Sequence, residues 1–349
     1  MNKTVTLEKA LDLREQGALF VDARSPSEYA EAHVPRSVNV PILDDEERSR
    51  VGTLYKQEGS QAARRLGVEI VSPKIPALIE QVAAVRPERR LPVVVYCWRG
   101  GMRSRALTDF LNLAGIEARQ MLGGHKAFRA HVREFFAEGE LARMLVLRGL
   151  TGVGKTRILK QLEAEGYPVL DLEGLANHRG SAFGGLGLPA QPGQKHFESL
   201  LWDALKAGSP QGYFLTEGES RNIGRCKQPD RLFEALQAET TLWINAGLDF
   251  RTEVILEDYP AADELRRAFE EPIRALKRRL GKQTVEHFLD LLKRGEWRQL
   301  VRELMEFYYD PLYNHTKPED RIEIDIEPFD EGIDRLKSAI DQVAAKPPK

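Results

Sequence analysis

The run Gly149-Leu150-Thr151-Gly152-Val153-Gly154-Lys155-Thr156 constrains this chain more than any other segment. It follows the apolar stretch Met144-Leu145-Val146-Leu147-Arg148 and precedes Ile158, Leu159 and Leu162, which recur at helical spacing. A glycine-rich turn between a buried strand and a helix gathers backbone N–H groups around one point at the positive end of the helix, which makes a site for phosphate. Lys155 adds a charge for the terminal phosphate, and Thr156 offers its hydroxyl to a magnesium ion. Gly149, Thr151, Gly152, Val153, Gly154, Lys155 and Thr156 are therefore candidate phosphate-binding residues.

Runs at 167–171, 212–216, 242–245 and 321–325 read as further strands, separated by helical stretches and followed by a C-terminal helix. That alternation predicts an α/β layer with a parallel sheet. The strand at 212–216 leads into Glu217-Gly218-Glu219-Ser220-Arg221, where a loop of this kind takes its second acidic metal group. Glu217, Glu219 and Arg221, with Asp171 after the preceding strand, are candidates for the surroundings of a metal or diphosphate. From 261 to 314 the pattern is helical and rich in charge. Arg274, Lys277, Arg278, Arg279 and Lys282 have no acidic residue among them, and their spacing predicts one basic helix side that an RNA backbone could meet, with a solvated face as the plainer alternative. For Trp297, Phe307, Tyr308, Tyr309 and Tyr313 core packing is the more usual role than base stacking.

A second anion site lies earlier. The buried run at 91–96 leads into Cys97-Trp98-Arg99-Gly100-Gly101-Met102-Arg103-Ser104, and apolar residues at Ala106, Leu107, Phe110 and Leu113 predict a helix from 104 to 113. A thiol at a strand end, followed by two glycines and by Arg99, Arg103 and Arg105, is a thiolate in a nest of amides, since cations and a helix N-terminus favour the reactive anion. Strands at 19–22 and 37–40 and a helix at 127–141 complete an α/β pattern. Residues 44–90 read as a helical insertion that includes a helix at 75–85. Its Arg48, Arg50, Lys56, Arg64 and Arg65 fit a solvated face better than a polyanion site. Cys226, with only Arg225 and Lys227 beside it, reads as inert.

The chain has 349 residues, enough for two cores, and 42% hydrophobic with 30% charged residues is ordinary for a globular protein. Two cysteines argue against a disulfide framework and for a reducing compartment. The first residues lack the apolar centre of a signal peptide and no run approaches a membrane span, so a cytoplasmic protein is expected. A net charge of −2 gives nucleic-acid binding no general support and leaves it to local patches.

The first part of the chain resembles a rhodanese domain in Asp22, Arg24, Glu28-Tyr29, His33-Val34-Pro35, the Cys97 loop and Gly123-Gly124. It departs at Arg36, where a glycine is usual, and in loop length, because Arg103 lies six positions after Cys97, as in rhodanese-fold phosphatases. That longer loop suggests a tetrahedral anion. With the Gly149–Thr156 loop, His178-Arg179-Gly180-Ser181 and Glu219-Ser220-Arg221-Asn222, the whole chain resembles the bacterial tRNA 2-selenouridine synthases. The resemblance implies a rhodanese-like domain at 1–140 and a P-loop NTPase-like α/β domain at 141–349 with a helical, basic C-terminal portion.

It also implies geranylation of a wobble 2-thiouridine in tRNA from geranyl diphosphate, then replacement of the S-geranyl group by selenium from selenophosphate. On that reading Cys97 receives or relays selenium, and Arg99, Gly100, Gly101, Met102 and Arg103 bind selenophosphate. The second loop holds the leaving diphosphate with magnesium. His178, Arg179 and Ser181 are candidate substrate contacts, and a selenophosphate-supplying enzyme is a candidate partner. Whether ATP or GTP binds stays open. An alternative is a rhodanese-fold phosphatase or sulfurtransferase fused to a nucleotide-dependent kinase-like domain, and a non-enzymatic RNA-binding regulator fits the intact Cys97 loop less well.

Overall fold

The computed structural model describes residues 3–86, 91–259, 263–314 and 317–347. The chain forms two compact units, one of Met1–Glu138 with Glu198–Trp202 and one of Gly139–Phe197 with Asp203–Lys349.

In the first unit five strands, β1 (Thr4–Val5), β2 (Phe20–Asp22), β3 (Val38–Asn39), β4 (Val93–Tyr96) and β5 (Ala118–Met121), pair in the order β1-β5-β4-β2-β3. Every pairing is parallel. The central strand Val93-Val94-Val95-Tyr96 is buried along its whole length, as a parallel strand covered on both faces must be. The expected insertion is a helical hairpin, Asp45–Glu58 and Ser60–Val71, followed by the helix Ile75–Val85. Residues 87–90, at the end of the expected insertion, lie outside the described residues. Gly59, at a φ of +87°, makes the reversal between the two hairpin helices. Arg50, Lys56, Arg64 and Arg65 are exposed on it. Arg36, the residue in place of a glycine, takes the left-handed conformation at a φ of +63°.

The second unit has its own parallel sheet of β6 (Arg143–Gly149), β7 (Val169–Leu170), β8 (Tyr213–Glu217), β11 (Thr241–Asn245) and β12 (Arg321–Asp325), ordered β12-β11-β6-β8-β7. A short antiparallel pair, β9 (Asn222–Ile223) with β10 (Cys226–Lys227), stands apart from it. Leu145, Leu147, Ile158, Leu162 and Leu215 join Ile333, Leu336 and Ile340 of the C-terminal helix in one core. A second core holds the helical portion together around Phe269, Ile273, Phe288, Leu292 and Leu304. Among the described residues no helix is long and apolar enough to cross a membrane.

The expected basic helix side does not form. The helix Arg266–Ala275 ends at Leu276, and the next segment, Lys277–Arg294, is broken at Gly281 by a φ of +82°. Glycine alone occupies that region without strain, so the chain turns there and the five cations lose their common face. Arg274 pairs with Glu270, Lys282 with Glu286, and Arg279 lies over the Tyr308 ring. Trp297 packs on Phe269 and Tyr309 is buried, whereas Phe307 is exposed.

Candidate functional site

Cys97 sits at the end of β4 with 3% of its surface exposed. Its Sγ accepts the Gly101 N–H at 3.3 Å and lies 3.2 Å from the Ser104 hydroxyl. The helix Met102–Leu113 starts one residue later, so the thiol faces a helix N-terminus. Gly100 has a φ of +66°, and a Cβ on it would stand 2.7 Å from the Met121 carbonyl oxygen. A Cβ on Gly124 would meet the Cys97 carbonyl oxygen at 2.1 Å. Both glycines are therefore required for the close approach of two backbone turns. Gln120 was not legible as a site residue, yet its amide donates to the carbonyl oxygens of Gly100 at 2.8 Å and Gly101 at 2.9 Å and to the Ser104 hydroxyl at 3.0 Å. It fixes the loop in place.

Arg103 is bound to Glu28, which also takes part in the cap of the helix Pro26–Glu31. Burial opposes ionisation of Glu28, but the Arg103 guanidinium prevails and holds its carboxyl below the usual range. An incoming anion thus competes with Glu28 for Arg103. Arg99 and Met102 are exposed at the loop. Asp22 and Arg24 form a buried pair at 2.6 Å, and Arg24 also donates to the Ala32 carbonyl at 2.7 Å. They brace the sheet end behind the loop, while His33 stacks on Tyr29.

In the second unit β6 delivers Gly149 to Gly154, and the helix Lys155–Ala164 follows. Gly152 and Gly154 each have a φ of +84°, and a Cβ on Gly152 would stand 2.6 Å from the Arg251 carbonyl oxygen. Val153 is core. The Thr156 hydroxyl donates to Glu173 Oε2 at 3.0 Å, and the Glu173 N–H donates to Glu217 Oε1 at 2.7 Å. Glu173 is a residue that sequence reading missed. Its only sign was an acid just beyond the end of a parallel strand, the sheet edge where α/β proteins bind ligands.

Asp171 is a helix cap, accepting the Gly174 N–H at 2.7 Å. Arg221 is drawn away from the acids by an ion pair with Asp230 and by the Phe233 ring, 4.7 Å from its guanidinium. His178 abuts Gly184, Arg179 lies 4.5 Å over the Tyr259 ring, and a Cβ on Gly180 would meet the Glu219 carboxylate at 2.2 Å. This loop therefore closes over Glu219. Burial pushes the Cys226 thiol up, away from the reactive anion.

Glu173, Glu217 and Glu219 are shifted toward their protonated forms. Burial pushes Glu217 well above the usual carboxyl range, and the charges of Glu173 and Asp171 add to it. Burial, then the Glu173 charge, raises Glu219 to about 8, against the pull of Lys155. Glu173 and Glu219 hydrogen-bond each other, so their titrations are linked. A carboxyl raised on folding contributes stability that is fully present below its unfolded value of 4.5 and is lost as pH rises through the folded value of about 8. The stability of the whole chain is therefore expected to fall across this window by up to about 1.4 kcal/mol per pH unit from Glu219 alone. Glu219→Gln should flatten that slope. A variant as steep as the parent would remove Glu219 from the account.

Beside the loop lies an apolar cleft with a cavity of about 70 Å³. Thr151 and Ser181 contribute to its wall together with Phe183, Tyr259, Trp297, Leu304 and Tyr309. The phosphate-binding loop and a hydrocarbon-lined space thus share one residue, Thr151.

Residues 142–327 match the model of the tRNA 2-selenouridine synthase AAA domain, and residues 6–131 match that of the rhodanese-like domain. A tRNA 2-selenouridine synthase of Bdellovibrio bacteriovorus is 32% identical over 89% of this chain and 92% of that protein. One from Pseudomonas entomophila is 34% identical over 85% and 87%. With a cysteine loop in its rhodanese unit and a phosphate-binding loop in its second unit, this chain belongs to the tRNA 2-selenouridine synthase family of enzymes.

Proposed function

We propose that this enzyme acts in the cytoplasm on the wobble 2-thiouridine of tRNA, geranylates its sulfur from geranyl diphosphate, and then exchanges the S-geranyl group for selenium from selenophosphate. The observation that carries the reading is the apolar cleft that shares Thr151 with the phosphate-binding loop. A ligand with a diphosphate head and a hydrocarbon tail suits that combination, whereas a nucleotide would set a polar ribose against aromatic and aliphatic walls.

In the first step the uridine sulfur attacks C1 of the geranyl group, the S–C bond forms as the C–O bond breaks, and the N3 proton goes to solvent. Negative charge builds on the departing diphosphate. The loop N–H groups and the Lys155 ammonium are aimed at that charge before the reaction starts, so little reorganisation is needed. Glu217 Oε2 is buried and has no hydrogen-bond partner, so a magnesium ion here would have to displace the proton that burial keeps on this carboxyl. The Thr156 hydroxyl and Glu217 would hold it, with the remaining oxygens from the diphosphate. When bound, it would neutralise charge on the leaving group.

In the second step the Cys97 thiolate releases selenium from selenophosphate by taking its phosphoryl group. The nest suits a tetrahedral phosphorus. Sγ attacks that phosphorus, the S–P bond forms as the P–Se bond breaks, and hydroselenide leaves for C2 of the uridine. There the C2–Se bond forms, geranyl thiolate departs and takes a proton, and water later cleaves the S–P bond to release phosphate. Selenophosphate would come from a separate supplying enzyme.

The purified chain, given an anticodon stem-loop with 2-thiouridine and geranyl diphosphate, should yield the S-geranyl nucleoside by mass spectrometry. Adding selenophosphate should yield 2-selenouridine and geranyl thiol. No S-geranyl product, with ATP or GTP consumed instead, would sink the reading in favour of a nucleotide-dependent enzyme.

A further inference from the structure

We propose that the helical insertion of the first unit builds a second hydrocarbon site, which holds the geranyl chain of the modified uridine while the Cys97 loop exchanges sulfur for selenium. The inference rests on the two-step reading above and locates the leaving group of its second step.

The hairpin helices Asp45–Glu58 and Ser60–Val71 and the helix Met102–Leu113 enclose an apolar groove with a cavity of about 570 Å³. Val51, Tyr55, Gly67, Val68, Met102 and Phe110 are among its lining residues. Three of these leave much apolar surface in water, with Tyr55 60%, Val68 67% and Met102 55% exposed. Exposed apolar surface gathered in one concavity marks a binding site more often than chance does. Gly67 deepens the space. It lies inside a helix, where glycine is costly, and nothing stands within 4 Å of where its Cβ would be.

The occupant follows from where the groove starts. Met102 is the first residue of its helix, and its neighbour Gly101 donates its N–H to Cys97 Sγ at 3.3 Å. Met102, Ala106 and Phe110 recur at four-residue spacing, so the apolar stripe runs along the helix for about 12 Å from the turn that holds the thiol. Selenation breaks the C2–S bond and expels a ten-carbon thiol. Its tail must lie within reach of the uridine presented to Cys97, and the groove is hydrocarbon-lined and continuous with that loop.

The test compares selenation of two anticodon stem-loops, one with S-geranyl- and one with S-methyl-2-thiouridine, by the full-length enzyme with selenophosphate. Gly67→Leu fills the groove with a better helix former and should not lower the melting temperature. It should reduce the preference for the S-geranyl over the S-methyl substrate about tenfold in kcat/KM. Val68→Gln, which adds polarity without bulk, should move the preference the same way by a smaller factor. An unchanged preference in both variants overturns the assignment. So does an equal fall on both substrates, which would make the groove edge an RNA contact, or loss of self-association with selenation intact, which would make it an interface between copies. If the parent enzyme converts neither substrate, the two-step reading fails and this inference fails with it.

Discussion

Cys97→Ser is expected to abolish formation of 2-selenouridine while S-geranyl-2-thiouridine still forms. The serine hydroxyl keeps the size and the two hydrogen-bonding neighbours of the thiol, the Gly101 N–H and the Ser104 hydroxyl, so the loop should stay in place. What it lacks is the nucleophilicity of sulfur. The Gly101 N–H and the helix that starts at Met102 position the side chain, but a hydroxyl is a far weaker nucleophile toward phosphorus than a thiol. Loss of a nucleophile of this kind removes about four orders of magnitude in rate, or ~5.4 kcal/mol of transition-state stabilisation. Nucleoside mass spectrometry on a reaction with both small substrates checks it, and S-geranyl product should accumulate. Full selenation by the serine variant would take Cys97 out of the chemistry, and loss of both products would point to a damaged fold.

Lys155→Ala should have the mirror effect, slowing geranylation about a hundredfold, ~2.7 kcal/mol, because one positioned cation is lost from the developing diphosphate charge. Selenation of a stem-loop supplied already geranylated should continue. The ammonium also pulls against the raised carboxyls of Glu173 and Glu219. Its removal should therefore leave those acids protonated to still higher pH, with the melting slope shifted in the same direction. A geranylation rate equal to that of the parent would mean that the loop holds some other phosphate.

Much of the fold was legible because strands buried on both faces read as continuous apolar runs. Val93-Val94-Val95-Tyr96 and Met144-Leu145-Val146-Leu147 are of this kind, and both became central strands. Ala118–Met121 was not legible, since Arg119 and Gln120 interrupt it. Gln120 is buried all the same, because the loop carbonyls and the Ser104 hydroxyl satisfy its amide. The basic run from Arg274 to Lys282 misled for the opposite reason. Its helical spacing was real as a pattern, but Gly281 turns the backbone inside it.

The sequence by itself determined the two anion loops. Their chemistry is local, set by glycines, a cysteine or a lysine at adjoining positions, whose backbone conformations aim the N–H groups whatever packs around them. Only the tertiary structure decided what each loop faces. It gave Arg103 to Glu28, 75 positions away, and turned Glu173 to Thr156 and Glu219. It also set an apolar space against each loop, and no local pattern announces such a space. The reason is burial. Proton affinity of an acid and the apolar character of a cleft depend on how much water its neighbours exclude, and those neighbours come from distant parts of the chain.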